Sequence, residues 1–149
     1  MIKFIEEMIR FFLVFNRQGA VRLVKWYTPY STAEKEKLKT DIHRLVCRRA
    51  SNLTNVLEYK NYKIIYRPYA ALFMCMCVDA NDNEFAILET IHLFVEVMDQ
   101  YFGKVRELDL LLQFHKVYAI LDEFIVAGEV GECNKQIIVD RMKMLDDLS

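Results

Sequence analysis

Residues able to do covalent or metal chemistry are few and scattered in this chain. Its three histidines, His43, His92 and His115, lie far apart, with no HExxH or comparable ligand spacing. Four cysteines stand at positions 47, 75, 77 and 133, with no CxxC pair. Cys75 and Cys77 share the apolar run AALFMCMCV, where a strand would turn both to one face as neighbours rather than as a bridged pair. Reduced structural thiols are the expected reading, with a metal or redox role as the lesser alternative. Asp79, Asp82, Glu84 and Glu89 are close in sequence, but they straddle a turn and a helix start, where acids serve as caps. The Gly and the terminal Glu of a calcium loop are missing there. There is no P-loop, GxSxG or GxGxxG, no nucleophile–base pair and no implied cofactor or metal. The pattern points to binding rather than catalysis.

Charge gives the next clue. Arg22, Lys25, Arg44, Arg48, Arg49, Lys60, Lys63 and Arg67 cluster in the first half, whereas Glu129, Glu132, Asp140, Asp146 and Asp147 make the end acidic. Such asymmetry fits either an anionic partner on one face or an ordinary solvated surface. A net charge of −1 argues against nucleic acid as a partner.

These residues are positioned by a chain of 149 residues, a size suited to one domain, with 54% hydrophobic residues and only 4 Gly and 2 Pro. No stretch approaches the roughly 20 apolar residues of a membrane span. The opening MIKFIEEMIRFFLVF carries Glu6, Glu7 and Arg10 inside its apolar run and lacks a small-residue cleavage site, so a cytosolic protein is expected. Met1–Ile5 is nearly repeated from Met8 to Phe12, which makes residues 1–7 an expected dispensable extension and 8–149 the domain.

Residues 8–16 and 20–27 read as two strands around the turn Asn16-Arg17-Gln18-Gly19, with an irregularity expected near Val24. Ser31-Thr32-Ala33-Glu34 is a capping box, followed at helical spacing by Leu38, Ile42, Leu45 and Val46. Residues 55–59, 62–67 and 70–79 read as three further strands. Arg67-Pro68 is expected to break the ladder between the last two, because Pro has no N–H to donate. The last of these strands is apolar on both faces, so it is expected to be central and covered by helices. Asn81-Asp82-Asn83 should cap a helix whose stripe is Phe85, Leu88, Ile91, Val95, Met98 and Phe102, ended by Gly103. A helical region over 107–126 carries Leu108, Leu111, Phe114, Val117, Leu121 and Phe124, and a last amphipathic segment carries Ile137, Ile138, Met142 and Leu145. Hairpin-connected strands with helices grouped afterwards give an α+β fold with an antiparallel sheet.

Several blocks carry a resemblance to a known family. They are Asn16-Arg17-Gln18-Gly19, Arg22-Leu23, Lys25-Trp26-Tyr27, Tyr62-Lys63-Ile64-Ile65-Tyr66-Arg67 and Tyr69-Ala70. Asp82-Asn83, Leu88-Glu89, Ile91-His92, Glu107-Leu108-Asp109, Asp122-Glu123 and Ala127-Gly128-Glu129 continue the series. From Met8 onward the chain resembles the sigma (small) subunits of the heterotetrameric clathrin adaptors. Residues 78–83, 61–67 and 116–118 look most like the plasma-membrane endocytic type, whereas Gln100-Tyr101-Phe102-Gly103 and Arg17-Gln18-Gly19 lean toward the trans-Golgi/endosomal type. The coatomer small subunit is a related alternative. A longin-type regulator of a small GTPase or SNARE is the alternative from another class.

The resemblance implies a longin-like fold: a five-stranded antiparallel sheet flanked by helices, with additional C-terminal helices. It implies two large adaptins as partners, an alpha-type in direct contact and a beta-type, and a medium mu chain. It implies indirect links to clathrin and to phosphoinositide membrane at coated pits. It also implies binding of cargo tails bearing an acidic dileucine motif. On that resemblance the leucine pocket maps to Ala70, Leu72, Val95 and Val105, and Arg22 matches the basic residue near the motif's acidic position. Lys104 stands where the endocytic type usually has asparagine, and Pro68 where a second basic residue is usual. Periodicity by itself favours core packing for Leu72, Val95 and Val105.

Overall fold

The computed structural model describes residues 9–48, 55–69, 71–79, 84–104, 106–126, 129–130 and 135–148. The expected extension over 1–7 and the Asn81-Asp82-Asn83 cap lie outside them. Five strands form one antiparallel sheet: β1 (Ile9–Asn16), β2 (Val21–Trp26), β3 (Val56–Tyr59), β4 (Tyr62–Tyr69) and β5 (Leu72–Asp79), in the order β2-β1-β5-β4-β3. The helices are α1 (Thr32–Arg48), α2 (Glu84–Phe102), α3 (Glu107–Leu112), α4 (Phe114–Phe124) and α5 (Lys135–Leu148).

The β1–β2 turn closes because Gly19 takes φ +92°, and the Gly19 N–H donates to the Asn16 carbonyl at 3.0 Å. A Cβ at Gly19 would stand 3.1 Å from the His43 ring, so the turn also needs a glycine for space. The β1–β2 irregularity falls at Arg22 rather than Val24: Val14 pairs with Leu23 and Phe15 with Val21, leaving Arg22 without an opposite residue.

β5 is central, as its two apolar faces predict, and Leu72 to Val78 are all buried. Alternate side chains feed two cores. Phe11, Leu13, Phe15, Phe73, Cys75 and Cys77 meet Leu38, Ile42 and Val46 of α1. Phe12, Val14, Leu72, Met74, Met76 and Val78 meet α2, α4 and α5. The capping box starts α1 as expected, with Glu34 N–H donating to Ser31 Oγ at 3.2 Å and Ser31 N–H to Glu34 Oε1 at 2.9 Å.

Three expectations need correction. Pro68 does not break the ladder; β4 runs through it to Tyr69, with Pro68 opposite Phe73. Pairing with β3 ends at Ile65, so Pro68 lies on an edge stretch where its missing N–H removes no bond. The helical region after residue 106 is two helices, and Ile125–Val126 is a short strand paired with Glu129–Val130. Gln113 ends α3 by donating to the Asp109 carbonyl, and its own carbonyl accepts from Lys116 and Val117 at the start of α4. The apolar stripes also sit in a different phase. Leu110, Val117, Ile120 and Leu121 face the core, while Leu108, Leu111 and Phe114 are exposed. Phe85 is 86% exposed, and Ile87, Ile91, Phe94, Val95 and Met98 form the buried stripe of α2. Runs such as Leu110-Leu111-Leu112 are apolar in every direction, so spacing does not fix which member points inward.

Candidate functional site

Arg22 is re-aimed by the bulge that leaves it unpaired. Its Nε donates to Glu107 Oε2 at 2.6 Å, and Asn16 Nδ2 donates to the same oxygen at 2.9 Å. Asn16, the last residue of β1, is 8% exposed and is held by the Ala20 N–H, which donates to Asn16 Oδ1 at 2.9 Å. Glu107 opens α3, so its carboxylate ties that short helix to both strands. These two hydrogen bonds, Arg22's first and Asn16's second, hold the Glu107 carboxyl below the usual carboxylate range. At neutral pH the pair is therefore ionic.

Asn16 is also the register partner of Leu72 on β5. Leu72 is 1% exposed and in turn pairs with Tyr69 across the β4–β5 hairpin. The Tyr69 hydroxyl donates to Asp99 Oδ1 at 2.6 Å, one helical turn beyond Val95 on α2. Burial, and then this hydrogen bond, pushes the Tyr69 phenol up to about 12, so it remains a donor. Val95 is 4% exposed and shares the helix-side core with Leu72. Arg22, Leu72 and Val95 thus come to one end of the sheet, on the face covered by α2 and α4. Lys104 is exposed just beyond α2. Ala70 and Val105 lie outside the described residues.

Four residues that build this end were given no role in the site by the sequence: Asn16, read there only as part of a turn, and Tyr69, Asp99 and Glu107. Asn16, Tyr69 and Glu107 fall in the blocks that carry the family resemblance, but the Arg22–Glu107 pair spans 85 positions and leaves no local pattern. Beside Glu107 the surface is apolar. Leu108, Leu111, Leu112 and Phe114 are 48%, 52%, 66% and 55% exposed.

The chemistry available here is recognition of charge and apolar side chains. Burial raises the Cys75 thiol well above its ordinary value and pushes Cys77 up to about 12, so both stay protonated. Among the described residues no group of three or more His, Cys, Asp or Glu is placed to hold a metal ion. No described helix is long and apolar enough to cross a membrane.

A five-stranded antiparallel sheet between α1 on one face and α2, α4 and α5 on the other is the longin-like fold of adaptor small chains. Residues 8–149 match the family described as clathrin adaptor complex small chain, and this chain belongs to that family. It is 56% identical over 142 residues to the AP-2 complex subunit sigma of Neurospora crassa, covering 95% of this chain and 99% of that one. It is 55% identical over 141 residues to the AP-2 complex subunit sigma of Dictyostelium discoideum, with the same coverage. An AP-1 complex subunit sigma-2 of Arabidopsis thaliana is 45% identical over 141 residues, 95% of this chain and 87% of its own. Among structures, a chain in a homology model of the full-length AP-3 complex in a stretched open conformation superposes with a TM-score of 0.71, at 31% identity and 95% coverage of both chains. The chain is a small subunit of a clathrin adaptor complex, most like the AP-2 sigma type, and its relatives are trafficking subunits rather than enzymes. It associates with the other adaptin subunits of such a complex.

Proposed function

We propose that this chain is the sigma subunit of an endocytic adaptor, working at clathrin-coated pits on the cytosolic face of the plasma membrane. There it stabilises the adaptor core and binds acidic dileucine motifs in cargo tails. Its partners are an alpha-type large adaptin in direct contact, a beta-type large adaptin and a medium mu chain. Clathrin and phosphoinositide membrane are reached through the complex. The identities of 55–56% to AP-2 sigma chains against 45% to an AP-1 sigma chain favour the endocytic type over the trans-Golgi/endosomal one. The exposed Leu108, Leu111, Leu112 and Phe114 favour burial of the α3–α4 region against a large subunit.

The observation that carries the cargo reading is the convergence of Arg22, on β2, with Leu72, on β5, across the intervening β1. Strands lie about 4.8 Å apart, so two steps separate these positions by roughly 10 Å. An extended tail advances about 3.3 Å per residue, so roughly three residues span the gap. That is the spacing of a motif whose acid precedes two apolar residues by a few positions. Each docked leucine contributes roughly 1.5–3 kcal/mol, less the cost of ordering the tail. The acid adds selectivity and association rate through Arg22 more than affinity. Binding is weak and reversible, and gains strength from many tails on one membrane.

Affinity purification with mass spectrometry tests the assembly: two large adaptins and a medium chain should be recovered, and coatomer subunits would replace the reading. Calorimetry of the purified complex tests the site. A tail peptide with an acid and a leucine pair should bind, its dialanine counterpart should not, and equal binding of both would remove the cargo role.

A further inference from the structure

Arg22 is not an open cation. Its Nε is already committed to Glu107 at 2.6 Å, and the same carboxylate oxygen takes a second hydrogen bond from Asn16. Among the described residues its terminal nitrogens have no other protein partner. A guanidinium held by one edge keeps its remaining N–H groups in a fixed fork, able to meet a second carboxylate. The two anions then share one positive charge. Arg22 and Glu107 keep side-chain exposures of 26% and 29%, so solvent screens the arrangement without abolishing it. Lys25 does not relieve it, since its own partner is Asp122 at 3.4 Å.

We propose that Glu107 is the residue that sets acid selectivity at the dileucine site, by orienting the Arg22 guanidinium while cancelling part of its charge toward the incoming tail. This deepens the cargo reading above and rests on it. Two consequences follow from the geometry. Removing the charge of Glu107 while keeping its shape strengthens recognition of the acid alone, because a Gln carbonyl oxygen can still accept from Arg22 and Asn16. Recognition of the two leucines, buried at Leu72 and Val95, does not change.

The test uses the assembled adaptor complex and two peptides that share a leucine pair and differ only in Glu or Gln at the acidic position. Calorimetry gives the ratio of their affinities for wild type and for Glu107→Gln. The ratio should rise about two- to fivefold in Glu107→Gln, the range of an exposed charge pair, and the rise should shrink in high salt. The Gln peptide should bind both complexes equally. In an Arg22→Gln background the rise on Glu107→Gln should be smaller than in wild type, because only direct repulsion of the acid by Glu107 remains, which a merely structural role for Glu107 would not require. An unchanged or smaller ratio in a Glu107→Gln complex that still binds the Gln peptide overturns the proposal. If that variant does not assemble, Glu107→Asp serves instead; its shorter side chain withdraws the charge from Arg22, and an unchanged ratio again overturns it. Failure of the cargo reading itself looks different, because neither peptide would then bind the wild-type complex.

Discussion

The two faces of the sheet are built from different materials. On the α1 side the core is aromatic. The Phe11 and Trp26 rings lie 4.8 Å apart, Phe15 and Phe73 5.6 Å, and Phe11 also meets Tyr30 edge-on. Its buried acid is answered internally, with the Tyr59 hydroxyl donating to Asp41 Oδ2 at 2.7 Å. On the opposite side the core is aliphatic and sulfur-rich, with Met74, Met76, Met98 and Met142 among its buried members. All the large apolar residues exposed among the described ones, Phe85, Leu108, Leu111, Leu112, Phe114, Ile137, Met144 and Leu145, belong to the helices of that second side. Rigid rings with few rotamers define the sheet, whereas unbranched thioethers adapt to neighbours that change. Among the described residues one face is closed within the chain, and on the proposed reading the other is finished by partners.

The largest expected effect sharpens that contrast. Phe11→Ala on the closed face should cost about 3–5 kcal/mol, because a fully buried ring leaves a cavity against α1. Met76→Leu, equally buried on the other face, should cost under about 1.5 kcal/mol. Thermal release of the small chain from purified complexes measures both. Equal losses would show that the two cores are equally specific.

Next in size is Val95→Asp. It should abolish dileucine binding while the complex stays assembled, because burying an unpaired carboxylate costs several kcal/mol, more than one leucine returns. Calorimetry with gel filtration decides it. Wild-type affinity would remove Val95 from the site. Loss of assembly would make Val95 a core residue only, a role its 4% exposure also fits.

A smaller effect belongs to the closed face. Asp41 is held below its ordinary value, chiefly by the Tyr59 hydroxyl, with Lys37 and Arg44 adding to it. A depressed folded-state value contributes stability that is present above the unfolded value near 4 and is lost as pH falls through the folded value. Tyr59→Phe removes the leading cause and brings the folded value up toward the unfolded one, so stability should fall by about 1 kcal/mol at neutrality and the further loss on acidification below about pH 4 should be smaller than in wild type. An unchanged acid limb in pH-dependent melting would mean that the two cations alone hold Asp41.

The local layers of this fold were legible in the sequence because their causes are local. The Ser31–Glu34 capping box, the glycine turn at Gly19 and the doubly apolar β5 each act within a few residues. Phase and pairing were not legible. Leu108 and Leu110 are equally apolar, and only packing against Val117 and Ile120 selects Leu110. Pro68 looked like a break because edge position is a property of the sheet and not of the dipeptide. The site divides the same way. Arg22 was marked by its charge and its family block, but its partner Glu107 arrives through a contact between α3 and β2 that no spacing encodes.

The smallest predicted change is the one that tests how that pair works. Arg22→Gln should weaken an acidic dileucine peptide by no more than about fivefold, and the deficit should vanish in high salt, where the Debye length falls to about 3 Å at 1 M. The effect is small for two reasons. The guanidinium is partly exposed, so solvent screens it, and it is already engaged by Glu107 at 2.6 Å, so a tail carboxylate meets a discounted charge. Gln is the informative substitution. Glu at position 22 would set a second carboxylate against Glu107 and push α3 from its strands, mixing a folding effect into a binding measurement. The leucine pair should keep most of the affinity in either salt. A loss beyond a hundredfold at physiological salt would mean that the charge, and not the apolar pair, dominates binding, and that this end of the sheet recognises cargo through its polar margin first.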